Sequence, residues 1–242
     1  MGARGPLPNA GRTVLWRETC INEASMITLY GTLRSRTTRV VWAAEELGLP
    51  YRREKVVFAA SLPDPLAVDA PLNTASPAFL AINPMGQLPA LQDGDLCIGE
   101  SVAICLYLAR KAGGPVGPQT LAEEGEILQW ALLAASVVEP PAVEILYAFM
   151  QNRAETDEGA AVISAATVKL QRPFQRIEDH LAGTDWLVGG RFTVADVIME
   201  ETLRYAAAAS GVFAAFPRLK AWFDRCQARP AFQAMWAARS AE

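Results

Sequence analysis

The sequence predicts two domains of different class, an α/β domain followed by an all-helical one, and three observations carry the prediction. Residues 27–57 read as strand, helix, strand. Asp93-Gly94 between two short apolar runs is the strongest short-range hairpin signal a sequence offers. Beyond Thr120 no strand pattern survives, and amphipathic helical segments run to the end of the chain.

Taken in order, Ile27–Tyr30 is a short buried strand. After a loop over residues 31–36, Val40, Val41, Ala43, Ala44 and Leu47 recur at helical spacing. Gly48 ends that helix and Pro50 prevents its continuation. Tyr51–Val57 is a β-branched, basic strand that should lie parallel to the first, because a helical crossover separates the two. Residues 58–76, with Pro63, Pro65 and Pro71, lack a period and predict an irregular loop with at most one helical turn. Leu88–Gln92 and Asp95–Ile98 flank the hairpin turn, and a helix starts at Ser101 and runs to about Lys111, where Gly113-Gly114-Pro115 stops it. This order of elements is thioredoxin-like. The helical segments fall at about 121–138, 142–153, 158–182, 193–209 and 217–228, with a short one near 231–239. Glu139-Pro140-Pro141 should kink or break the first pair. The expected organisation is an N-terminal extension (1–25), a thioredoxin-like domain (26–110), a linker (111–120) and a helical domain (121–242). The extension carries Gly, Pro and Asn early and no sustained period, which predicts a flexible segment or a start codon assigned too far upstream.

Composition narrows the chemistry. The 242 residues are 51% hydrophobic, enough for a sizeable core. A net charge of -4 without a long basic run argues against nucleic acid as a partner. Cys20, Cys97, Cys105 and Cys226 have neither Cys-x-x-Cys nor zinc-finger spacing, so no metal site is expected. Scattered cysteines fit a reducing compartment, and the absence of a long uncharged apolar run or a signal-like start leads to the expectation of a cytoplasmic protein with no membrane partner. His180 is the sole histidine and reads as a solvated or hydrogen-bonded helix residue. Asp93-Gly94-Asp95 resembles the start of a calcium loop, but Cys97 and Ile98 stand where a ligand and the turn glycine belong, so it reads as a hairpin turn.

Four stretches, in order, carry a resemblance: the strand-loop-Ser start around Ser35, Asn83-Pro84-Met85-Gly86-Gln87-Leu88-Pro89, Glu100-Ser101-Val102-Ala103-Ile104, and Gly190-Arg191-Phe192-Thr193-Val194-Ala195-Asp196. From Met26 onward the chain resembles a cytosolic-type glutathione transferase, of the bacterial, serine-using kind. The resemblance implies the glutathione transferase fold, a glutathione site in the first domain, no cofactor beyond glutathione as co-substrate, a small hydrophobic electrophile as second substrate, and a homodimer. It places a cis-proline at Gln87-Leu88-Pro89, turning the N–H and C=O of Leu88 toward the cysteinyl backbone of glutathione, as an added strand would pair. Without it, Pro89 would merely start a strand.

Glu100-Ser101 opens a helix whose free N–H groups and positive dipole end suit the γ-glutamyl carboxylate, with the Ser101 hydroxyl as a further donor and Glu100 facing the ammonium. A helix cap alone would use the same residues. Thr193 to Asp196 is a capping box and implies structure, not catalysis.

The catalytic task is to lower a thiol pKa of about 8.5 far enough to give thiolate at neutral pH. Serine-using members place the residue just before the first helix, four positions ahead of an arginine, and Ser35 to Arg39 keeps that interval. Ser35 is therefore the candidate donor to the sulfur. Arg34, Arg36, Thr37 and Thr38 stay open as alternatives, and Tyr30 is a poorer one because it ends the strand. A plain helix cap also remains open for Ser35. Trp130, Leu133, Val137 and Tyr205 are candidates for the second-substrate pocket, although core packing is the readier explanation for each. Isomerisation, peroxide reduction, or a non-catalytic interaction module on the same fold are the alternative functions.

Overall fold

The computed structural model describes residues 26–242. The expected N-terminal extension and Cys20 lie outside the described residues. The first domain contains β1 (Ile27–Tyr30), α1 (Thr37–Glu46), β2 (Tyr51–Glu54), α2 (Pro77–Ile82), β3 (Ala90–Asp93), β4 (Leu96–Ile98) and α3 (Ser101–Ala112). The second contains α4 (Leu121–Leu133), α5 (Glu139–Met150), α6 (Asp157–His180), α7 (Val194–Ala206), α8 (Pro217–Gln227) and α9 (Pro230–Ala241). The fold class is the expected one.

The sheet order is β2-β1-β3-β4, with β2 parallel to β1 and the β3–β4 hairpin antiparallel to it. The parallel pair follows from the helical crossover α1. The expected hairpin forms one residue later than its signal: Asp93 ends β3 opposite Leu96, and Gly94-Asp95 make the turn, with Gly94 taking the positive φ. Register positions the site. Tyr30 lies opposite Ala90, so the loop leaving β1 and the Leu88-Pro89 segment entering β3 meet at one end of the sheet.

Several elements differ from expectation. The second strand is shorter than Tyr51–Val57, because Val57 leaves the sheet to pair with Asn73. α2 is not legible in the sequence: its six residues are too few to show a helical period. Glu139-Pro140-Pro141 does not break the helix. The chain stays helical over Leu121–Met150, and the wider π-helical turn Ala134–Val138 accommodates residues with no N–H to donate, leaving both prolines in the first turn of α5. His180 is half-buried: its ring packs edge-on against Trp130 at 5.0 Å, and its Nε2 is buried without a hydrogen-bond partner.

One apolar core runs through both domains. Trp42 of α1 is fully buried against Phe232 of α9 (5.0 Å between rings) and Phe192 (5.9 Å). Arg229 closes that seam with two hydrogen bonds to Glu46, at 2.6 and 2.7 Å, while Trp42 Nε1 donates to the same carboxylate. Asp196 closes the capping box on α7 by accepting from the Thr193 N–H at 2.8 Å. Its other oxygen accepts from the Leu187 N–H and from Trp222 Nε1, so one buried carboxylate ties three segments together. Cys105 and Cys226 are buried and Cys97 is exposed, all as free thiols.

Candidate functional site

The site is assembled where β1, β3 and α3 present their ends. Gly31 turns the chain out of β1 with φ +147°, and a Cβ there would stand 2.2 Å from Thr37 Oγ1, so no other residue fits. The loop then folds around Thr32. Its carbonyl accepts from the Ser35 N–H (3.2 Å) and from Ser35 Oγ (2.7 Å). Its hydroxyl donates to the side-chain carboxylate of Glu242 at 2.7 Å. That carboxylate also accepts from the Leu33 N–H at 2.8 Å and is ion-paired with Arg53. The end of the helical domain thereby clamps the loop that carries Ser35.

Ser35 is half-buried, and its oxygen accepts from the Thr37 N–H at 3.2 Å while lying 2.8 Å from Thr37 Oγ1. With the Ser35 proton on the Thr32 carbonyl, the Thr37 hydroxyl is the donor of that pair. The hydroxyls form a relay, with Thr37 fully buried behind Ser35. Thr38 is also fully buried and donates to Glu201 at 2.7 Å. Tyr30 points the other way: its ring packs near Phe79 and its hydroxyl donates to Gln92 at 2.9 Å. Burial raises the pKa of that phenol.

The Leu88-Pro89 peptide is cis. Among the described residues no hydrogen bond uses the Leu88 N–H or C=O, whereas the Gln87 carbonyl is held by Asn83 Nδ2 at 2.8 Å. Gln87 itself is exposed. Glu100 has φ 62° and ψ 108°, a left-handed conformation that a non-glycine residue adopts at a cost of order 1–3 kcal/mol. That turn leaves its carboxylate exposed and delivers Ser101 as the first residue of α3. Ser101 is buried, and its oxygen accepts from Arg39 Nη1 at 2.9 Å, which leaves the hydroxyl proton free to point outward.

Arg39, fully buried, is the hub that sequence reasoning used only as a spacing marker. Besides Ser101 it donates from Nη2 to Glu139 (2.9 Å) and to Thr202 Oγ1 (3.0 Å), joining α1, α3, α5 and α7. Arg36 pairs with the same Glu139. Burial opposes ionisation of Glu139, but Arg39 and Arg36 outweigh it and hold the carboxyl below its usual range. The second-substrate candidates divide. Tyr205 lies under Arg36 (5.8 Å to the ring centroid), and Val137 is exposed two residues before Glu139. Leu133 is partly buried against the core. Trp130 is buried under Arg176 and beside His180, in a separate cavity of about 320 Å³. No cluster of metal-ligating side chains occurs among the described residues.

Two family models match, glutathione S-transferase N-terminal domain over residues 35–111 and glutathione S-transferase C-terminal domain over residues 138–230. The chain is 30% identical over 213 residues to glutathione S-transferase 1 of Zea mays, covering 85% of this chain and 93% of that protein. The chain belongs to the glutathione transferase family. Glutathione S-transferase theta-3 of Mus musculus is 27% identical over 83% of this chain and 81% of its own length. Among solved structures, glutathione S-transferase I from maize, in complex with an atrazine glutathione conjugate, superposes with a TM-score of 0.75 at 29% identity, covering 89% of this chain and 98% of that one. This glutathione transferase is thus similar both to plant enzymes and to the theta kind.

Proposed function

We propose that this glutathione transferase is a serine-using member that activates the thiol of glutathione with Ser35 for attack on a small electrophile. The observation that carries the reading is the hydroxyl relay: Ser35 is half-buried, while Thr37 is fully buried and donates to it. A hydroxyl that already accepts two hydrogen bonds is a better donor, because each polarises its O–H bond. On thiol binding, Ser35 turns its proton from the Thr32 carbonyl to the sulfur and stabilises the thiolate without becoming a nucleophile. The unused N–H and C=O of Leu88 pair with the cysteinyl backbone, Ser101 and the α3 N-terminus take the γ-glutamyl carboxylate, and Glu100 takes the ammonium.

The deciding experiment follows thiolate absorbance of the enzyme–glutathione complex against pH for the wild type, Ser35→Ala and Thr37→Ala. Ser35→Ala should titrate at higher pH and conjugate about tenfold or more slowly near neutrality, since a charge-assisted hydrogen bond is worth about 1.5 to 3 kcal/mol. Ser35→Ala titrating like the wild type would remove the serine assignment.

We further infer a homodimer in a reducing cytoplasm. Leu121, Leu128 and Leu132 expose their side chains along one face of α4, the kind of apolar strip a second copy covers, and Cys97 is an exposed free thiol. A monomer by light scattering at micromolar concentration would overturn the first inference.

A further inference from the structure

Beside Ser35, three guanidinium groups from three elements gather around two aromatic rings, and a fourth, Arg34, stands in the same loop. Arg34 and Arg36 flank Ser35 in the loop, Arg204 stands near the end of α7, and Arg239 lies on α9, one turn before Glu242. Arg204 sits 5.1 Å from the Tyr205 ring centroid and 4.8 Å from that of Trp236, and Arg239 is 4.6 Å from Trp236. Two of the four have carboxylates: Arg36 pairs with Glu139 and Arg204 with Glu201. Glu242, the remaining acid nearby, is committed to Thr32, Leu33 and Arg53. Among the described residues neither Arg34 nor Arg239 has an ion pair, and Arg34 is exposed. Burial, and then the neighbouring Arg204 and Arg34, pull the Arg239 guanidinium below its ordinary range. Crowding like charges on partly desolvated ground is unfavourable, and the arrangement becomes favourable once an anion lies between them.

We propose that the second substrate of this enzyme carries a carboxylate on a planar aromatic frame, with Arg34 and Arg239 holding the carboxylate and Trp236 the frame. The inference rests on the thiol being activated at Ser35. It replaces a purely hydrophobic electrophile by an anionic one: the guanidinium forks supply paired donors to a carboxylate, and the half-buried Trp236, its faces taken by Phe232 (5.7 Å, 9° between planes), Arg204 and Arg239, offers its edge to the frame. In the reaction the glutathione sulfur bonds to the ring carbon that bears a halogen, the carbon–halogen bond breaks, halide leaves with the electron pair, and the thiol proton passes to water.

The test compares 4-chloro-3-nitrobenzoate with its uncharged amide, each rate divided by its uncatalysed rate with glutathione. The wild type should favour the benzoate by about tenfold in normalised kcat/KM. Arg34→Gln and Arg239→Gln should each lose at least fivefold more on the benzoate than on the amide, mainly through KM, and Arg239→Lys should recover part of the loss. Equal losses on both substrates, or a rise in the KM for glutathione in place of that for the benzoate, would assign the arginines to the thiolate or to glutathione itself and overturn the proposal. Binding is read separately from tryptophan fluorescence, with Trp236→Phe identifying the responding ring. If the wild type turns over neither compound, the activation reading at Ser35 fails. Tighter binding of the benzoate than the amide, abolished in Arg239→Gln, would still support an anion site, and equal binding would refute it.

Discussion

Arg39 links the two halves of the proposed glutathione site, because one buried guanidinium both orients Ser101 and holds Glu139, which also fixes Arg36 beside Ser35. Arg39→Met should destabilise the protein by about 3 to 5 kcal/mol in urea unfolding, since it strands a buried carboxylate with a half-exposed partner. It should also weaken glutathione binding, because Ser101 loses the donor that fixes its oxygen. Ser101→Ala tests the pocket alone: glutathione affinity by calorimetry should fall by about 1 to 3 kcal/mol, with folding stability changed far less. Unchanged affinity in Ser101→Ala would place the γ-glutamyl carboxylate elsewhere. Sequence reasoning singled out Ser35, Glu100 and Ser101 as candidates because each stands at a helix start, where residue type and local geometry are coupled. It missed Arg39 as a hub and Glu242 as a clamp, because their partners Ser101 and Thr32 lie 62 and 210 positions away.

At the scale of elements, α7 carries more buried polar side chains than any amphipathic pattern would place there: Asp196, Glu200, Glu201 and Thr202 are all fully buried. The capping box explains the first. Asp196→Ala would leave the Thr193 and Leu187 N–H groups and Trp222 Nε1 without their acceptor. It should cost more than an ordinary helix cap, whose loss is worth about 0.5 to 2 kcal/mol. Thr193→Ala keeps the carboxylate and should stay within that smaller range, so equal unfolding midpoints for the two variants would contradict the three-way tie. The capping box was legible because it spans four consecutive residues. The Leu187 and Trp222 contacts were not, since nothing in the local pattern points to them. The π-helical turn before Pro140 shows the same limit in another form: proline chemistry predicted a disturbance, and packing of α5 against its neighbours kept the helix intact.

Across the whole molecule, charge buried between the domains makes stability depend on pH. The Glu200 carboxyl is pushed up to about 8 by burial and then by the adjacent Glu201, with Gln227 donating to one of its oxygens. Unfolded chain ionises such a group near 4.5. Between these values the folded state holds the additional proton, so stability falls as pH rises across that interval. Asp196, raised to about 6 by burial, contributes in the same direction only below that pH. Melting temperatures from pH 6.5 to 8.5 therefore isolate Glu200: the wild type should lose stability over that range and Glu200→Gln should lose less. Parallel profiles would show that Glu200 does not titrate there.

The sequence by itself determined the local periodicities, the strand-helix-strand opening, the existence of the hairpin at Gly94, the helical second half and the helix starts that carry the candidate site residues, because each is written within a few consecutive positions. The register that brings Leu88 beside the Ser35 loop, the Arg39 hub and the arginines gathered on Trp236 were decided only by the tertiary structure. They depend on which side chains from distant helices share one small, partly desolvated space, and there charge and hydrogen bonding are set by neighbours in three dimensions.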